Sequence, residues 1–272
     1  MPGALPHSAT YNVNNMKQCG LLLALALGSA DGQGLQAARP GRGNLFAAAT
    51  KGPFVAPGDD QIYNAMGHNT TASGVYSTAM GASTTASGLA DTAMGYFSTA
   101  SGGFSTAMGY HVTASGDRST AMGYSTKASG DGSTAMGHET TASGKYSTAM
   151  GDGTTAAGYG STAMGSFTNA SGASSTAMGD STTASGTDST AMGIGTTASG
   201  EYSTAMGYGT KAESFYETVV GRYNALGNSP STHSWAATDA VFRVGTGELN
   251  DRRQDALTVY KVQSYSLYVT LG

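Results

Sequence analysis

Glycine returns every fourteen residues from Gly67 to Gly221, twelve times without a miss, and a second series with the same period runs from Gly74 to Gly200 and stops at Ser214. Between them two phrases alternate, STAMG and TTASG, as in STAMGYSTKASGDGSTAMGHETTASG over residues 119–144. Few folds accommodate such a chain. A helix would carry a glycine every seven residues, each costing about 1 kcal/mol against alanine. Short threonine-rich strands separated by glycine turns predict a β-solenoid instead, with two strands and two turns in each fourteen-residue coil. The fold expected is all-β: a β-solenoid of about eleven coils, with a short C-terminal β-strand region. Coils about 4.8 Å apart would stack into a rod of roughly 50 Å.

Composition agrees with a repeat rather than with disorder. Charged residues make up 11% of the chain, against roughly 25% in an ordinary domain. Disordered chains usually combine high net charge with no period, whereas here the formal charge is −4 and the period is strict. Mild acidity without a clustered basic face excludes a nucleic-acid partner. One cysteine, Cys19, excludes an internal disulfide framework. It lies in MKQCGLLLALALGSADG, which reads as a secretory signal: Lys17 basic, Leu21–Leu27 apolar, Gly28-Ser29-Ala30 small. The organisation expected is a signal segment at 1–30, a Gly/Pro/Ala-rich linker at 31–61, roll repeats at 62–224 and a β cap or neck at 225–272. No stretch is long enough for a transmembrane helix.

Side chains alternate faces along a strand, so comparing coils assigns an orientation to each column. In STAMG the first column is Ser but becomes Asp91 and Glu217, which reads as facing water. Thr in the second column and Met in the fourth (Met66 to Met206) are then expected to face in, and the Ala column (Ala79, Ala93, Ala107 and onward) out. In TTASG, Lys127, Asn169 and Lys211 mark the second column as outward and Glu213 the fourth, leaving Thr and Ala inward. The expected core is Met and Thr against Ala and Thr, with an outer alanine stripe suited to self-association.

These residues resemble the head repeats of YadA-like trimeric autotransporter adhesins, in which SVAIG strands alternate with AxAxG, and the resemblance implies a left-handed parallel β-roll. Thr120 and Met122 stand where that family places its inward Val and Ile, and Gly123 stands at its turn glycine. The likeness spans about residues 62–224. It implies a homotrimeric adhesive head, secreted or displayed at a cell surface (outer-membrane-associated in relatives), whose partner is a host or matrix protein or a glycan surface. The segment from Lys211 onward is similar to those that close such repeats in phage tail-fibre-like and bacterial surface proteins, and the chain looks truncated relative to them. Val241–Val244 and Ala256–Lys261 read as strands joined by a turn at Gly245–Arg253, and the final VQSYSLYVTLG as a further strand.

No catalytic, cofactor or metal set emerges. The five histidines never recur at ligand spacing, and the serines are equivalent by the dozen. Asp131-Gly132 and Asp152-Gly153 hint at calcium turns without the period of calcium-binding rolls. The sequons Asn69-Thr70-Thr71 and Asn169-Ala170-Ser171 matter only in a eukaryotic secretory pathway, and the first is nearly forced by the repeat. The functional signal lies in aromatics in the variable turn columns: Tyr76, Tyr96, Phe97, Phe104, Tyr110, Tyr124, Tyr146, Tyr159, Tyr202 and Tyr208. Aromatics along a rod offer large contact area at small entropic cost, and their alternative role is packing between coils. Two other readings fit the same rod: a virion or tail-fibre spacer, and an ice-binding face built from outward Thr and Ser such as Thr141 and Ser143.

Overall fold

The computed structural model describes residues 64–228, 230–261 and 268–272, so the signal segment and linker expected at 1–30 and 31–61 lie outside the described residues. From Asn64 to Arg222 the chain is a parallel solenoid. Each coil contributes one five-residue strand, such as Thr134–His138, and one two-residue strand, such as Thr141–Ala142. Long strands align only with long strands and short with short, giving sheets of twelve and eleven strands in the roll, the first extended to fifteen by three C-terminal strands. The register is the repeat itself: Thr134 pairs with Thr148, Met136 with Met150 and Gly137 with Gly151.

Hydrogen bonds between coils continue through the corners. Ser143 N–H donates to Ala156 O at 2.9 Å, Glu139 N–H to Tyr124 O at 2.9 Å, and Tyr146 N–H to Asp131 O at 2.8 Å. Each coil thus satisfies its backbone on its neighbours almost all the way round, as a buried backbone demands.

The core corrects half of the orientation read from sequence. The short strands face as expected, with Thr84 and Ala86 fully buried and Lys127 and Asn169 outside. The long strands face the other way. Ser133 and Ala135 are fully buried, and Thr134 and Met136 lie half-buried on the outer surface. The alanine stripe is therefore interior, and the outer stripe consists of Thr and Met. The roll is too thin for anything else: its largest fully buried side chains are Val112, Val219 and threonines. Methionine does not fit between sheets that touch through Ala, Ser and Thr.

Asp91 and Glu217 explain why the parity was misread. Both carboxylates point inward and are buried. Asp91 Oδ1 accepts from Ser105 N–H at 2.8 Å, Gly103 N–H at 3.1 Å and Ser105 Oγ at 2.9 Å, and Oδ2 accepts from Gly88 N–H at 2.7 Å. A carboxylate held by that many donors tolerates burial. A charge in a column thus reports satisfied bonds and need not report water.

Both glycine columns exist because successive coils nearly touch there. A Cβ on Gly137 would fall 2.0 Å from Gly151 O, and one on Gly144 would fall 2.0 Å from Gly158 O. Gly137 also has φ of +127°.

Most inward Ser and Thr hydroxyls, Thr154 among them, lack a protein hydrogen-bond partner among the described residues. In their column Val112 takes the same place, fully buried. A buried unpaired hydroxyl costs more than the methyl that replaces it. Thr154→Val is therefore expected to leave the roll intact and raise its stability by about 1 kcal/mol in chemical denaturation. A loss of that size would mean the hydroxyl column is hydrogen-bonded after all.

The C-terminal end of the roll is closed by built contacts. The strand Ala240–Thr246 continues the long-strand sheet in parallel beside Thr218–Arg222, then Asp255–Tyr260 and Tyr268–Leu271 add antiparallel. The strand Ala240–Thr246 contains that expected at Val241–Val244, and Asp255–Tyr260 covers that expected at Ala256–Lys261 except for Lys261 itself. The short-strand sheet ends at Lys211–Ala212, where the Asn224 carboxamide takes the place of another strand. Its Oδ1 accepts from Lys211 N–H at 2.8 Å and its Nδ2 donates to Lys211 O at 2.9 Å.

Beneath this cap, Arg243 bridges two buried carboxylates, Glu217 Oε1 at 2.7 Å and Asp255 Oδ2 at 2.8 Å. Burial alone would push its guanidinium down, but the charge of Glu217 and the hydrogen bonds to both acids outweigh that and hold it above the ordinary arginine value. Lys261, fully buried 3.9 Å from Asp239, goes the other way, with burial dominating and lowering its ammonium.

Candidate functional site

The turn aromatics sort onto two opposite edges. Each coil turns once after its long strand and once after its short one, and each turn places one residue in the left-handed region. Tyr96, Phe97, Tyr110, Tyr124 and Tyr208 stand on the edge after the long strand. Tyr76, Phe104, Tyr146, Tyr159 and Tyr202 stand on the edge after the short strand. All ten are exposed, from 40% for Tyr110 to 58% for Tyr159. Phe97 (φ 52°) and Tyr146 (φ 59°) occupy a backbone conformation that bulky residues avoid, at a cost of about 1–2 kcal/mol each.

On the first edge, parallel register turns a sequence column into a stack. Tyr96 and Tyr110 lie 5.3 Å apart at 15°, Tyr110 and Tyr124 5.0 Å at 4°, and Tyr124 and His138 5.1 Å at 20°. Beside them Phe97 stacks on His111 at 4.9 Å. The stack ends where His138 Nδ1 meets Asp152 Oδ1 at 2.7 Å. Such pairs add about 0.5–1.5 kcal/mol each beyond area burial, so these rings hold coils together. Stacking occupies ring faces and leaves edges and hydroxyls toward water.

The second edge is looser. Tyr146 and Tyr159 meet edge-on at 5.7 Å, and further along Tyr202 stacks on Tyr216 at 4.6 Å. Sequence reasoning omitted Tyr216, Phe167, His111 and His138 from the aromatic edges. Their spacing of fourteen from named aromatics or from the turn columns was the available signal.

The hinted calcium turns have other employment. Asp131 Oδ1 accepts from Asp117 N–H at 3.3 Å and its Oδ2 lies 3.9 Å from Lys145 Nζ, while Asp152 holds His138. Among the described residues no group of three or more His, Cys, Asp or Glu is placed to hold a metal ion. No described helix is long and apolar enough to cross a membrane.

A parallel roll with a core of alanine and hydroxyls, glycine-pinned corners and aromatic edges defines a fibrous repeat rod. The family model for the YadA head domain repeat matches this chain in successive segments across residues 65–210. The chain belongs to that family. No curated protein sequence matches it significantly.

Proposed function

We propose that this protein is the adhesive head of a homotrimeric fibre, secreted or displayed at a cell surface, that attaches to a host, matrix or glycan surface through its turn residues. Membership of an adhesin head family is the observation that carries the reading. The outer Thr/Met stripe supports the trimer. Eleven methionines from Met66 to Met206 stand in register on one face of the long-strand sheet, and a lone roll leaves this apolar strip against water. Methionine adapts to an irregular partner surface. A stripe of one residue type suits packing around a symmetry axis.

The adhesive part is assigned to the edges because the strand faces repeat almost unchanged. Turn pairs differ from coil to coil, as in Asp117-Arg118, His138-Glu139 and Lys145-Tyr146. Since the ten aromatics divide between two edges, replacing them by edge is the informative test. Tyr96, Tyr110 and Tyr124 changed together to Ser, and separately Tyr146, Tyr159 and Tyr202 changed to Ser, are compared for attachment to matrix-protein- and glycan-coated surfaces. Loss of attachment from one set, with far-UV circular dichroism unchanged, is expected; central aromatic anchors carry about 2 kcal/mol or more. Attachment that survives both sets makes the aromatics packing residues and the rod a spacer.

A further inference from the structure

Where the roll meets its cap, the first edge changes character. Its left-handed position is glycine in two successive coils, Gly195 and Gly209. A Cβ on Gly195 would meet nothing nearer than 4.0 Å, whereas one on Gly209 would strike the Tyr223 ring at 2.3 Å. The space over Gly195 is open while the Tyr223 ring packs over Gly209, and here lies a trough with a volume of about 190 Å³, lined by both glycines with Ile194, Tyr208, Tyr223, Lys211, Asn250 and Arg253. Tyr208 and Tyr223 meet edge-on at 5.2 Å. A second cleft bounded by the same two tyrosines is lined by Arg222, Glu248 and Leu249.

The charges here are unlike those elsewhere on the rod. Arg118, Lys145, Arg243, Arg252 and Lys261 each lie within 4.0 Å of a carboxylate. Among the described residues, Lys127, Lys211, Arg222 and Arg253 have no such partner, and the last three gather at this corner while Lys127 stands alone further along the roll. Arg253 donates to the carbonyls of Gly209 (2.9 Å) and Asn224 (3.4 Å) and to the Asn250 side chain. Arg222 donates to the carbonyls of Gly247 (2.9 Å) and Glu248 (3.0 Å). Glu213 contributes negative potential at Arg253 without forming an ion pair. Backbone carbonyls fix both guanidinium groups in place without neutralising them. In a chain of formal charge −4, this corner concentrates positive charge beside exposed aromatic surface.

We propose that the trough is a binding site for an acidic sugar, a pyranose bearing a carboxylate or sulfate. The sugar's apolar ring surface lies against Tyr208, and its anionic group faces Lys211 and Arg253. The Asn250 amide and the tyrosine hydroxyls serve its hydroxyl groups. Apolar walls with a few fixed polar groups are what small-ligand sites use, and a fixed guanidinium suits carboxylate and sulfate geometry. This deepens the adhesive reading by naming a ligand class for one part of one edge.

The test titrates the full chain with glucuronic acid, N-acetylglucosamine 6-sulfate, glucose and inorganic sulfate, followed by ligand-observed NMR and calorimetry. Two variants keep the fold by precedent within the chain: Lys211→Thr, since Thr197 holds that place one coil earlier, and Tyr208→Ser, since Ser166 stands in the same column. Saturable, salt-sensitive binding of an acidic sugar and none of glucose is expected. Lys211→Thr should weaken it about tenfold, the equivalent of 1.4 kcal/mol, and Tyr208→Ser should weaken the sugar without changing inorganic sulfate. No saturable binding of either acidic sugar, equal binding of glucose, or no effect of either variant would overturn the proposal. Sulfate binding as tightly as the sulfated sugar would reduce the trough to an anion site and overturn it too. The titration does not depend on surface attachment, so a null result here leaves the edge experiment standing, and the reverse holds.

Discussion

Ala135→Leu is expected to break the roll, and Met136→Asp, one residue along the same strand, to leave it folded while abolishing self-association. Ala135 is fully buried between two sheets whose contacting side chains are Ala, Ser and Thr. Leucine there adds three carbons to a space with no flexible neighbour to yield, so the cost should reach the upper range of overpacking, about 3 kcal/mol or more. Met136 lies half-buried on the outer face, where an aspartate stays hydrated in the isolated roll. In the proposed trimer the same aspartate would be duplicated around the axis in an apolar contact, at high desolvation cost. Denaturation followed by circular dichroism reads the first effect and sedimentation velocity the second. Equal loss of the fold in both variants would refute the observed facing. A Met136→Asp protein that sediments like the wild type would remove the Thr/Met stripe from the proposed interface.

Gly137→Ala is expected to cost more than any surface change in the roll, about 4 kcal/mol, at the exceptional end for a single substitution. Two penalties coincide. The backbone sits at φ +127°, and the new methyl would lie 2.0 Å from Gly151 O. Relief requires moving the strand Thr148–Asp152, which loosens the pairing on which the next coil depends. In a solenoid each coil contacts only its neighbours, so loss of amide-exchange protection should centre on the coils flanking Gly137. Gly160→Ala is the matched control. Gly160 has φ +60° and nothing within 4 Å of its would-be Cβ, so only the left-handed backbone is penalised, by about 1 kcal/mol. Equal effects would show that coil contact is not what the glycine column preserves.

Both contrasts mark where sequence and structure divide. A fourteen-residue period with glycine on each turn leaves a parallel solenoid as the natural arrangement, because only in-register stacking brings Gly67 beside Gly81 and Met66 beside Met80 in every coil. That much is local geometry repeated, and so were the strands of the cap and the short-strand facing, where Lys127 and Asn169 are reliable markers of water. The facing of the long strand was not legible. The inward facing of Thr and Met follows by alternation only if Asp91 and Glu217 face water, and the constancy of Thr and Met does not correct it, because constancy reports only that every copy meets the same surroundings. Asp91 looked exposed because charge usually is, yet donors that only the neighbouring coil's fold brings within reach hold it inside. The aromatic edges were named residue by residue from their columns. Which of them share an edge, which rings stack, and where a trough lies beside unpaired cations depend on side chains from separate coils and from the cap. A sequence sets the period at which contacts repeat. How thin the core is, and therefore which face can close over it, is decided only when two sheets meet.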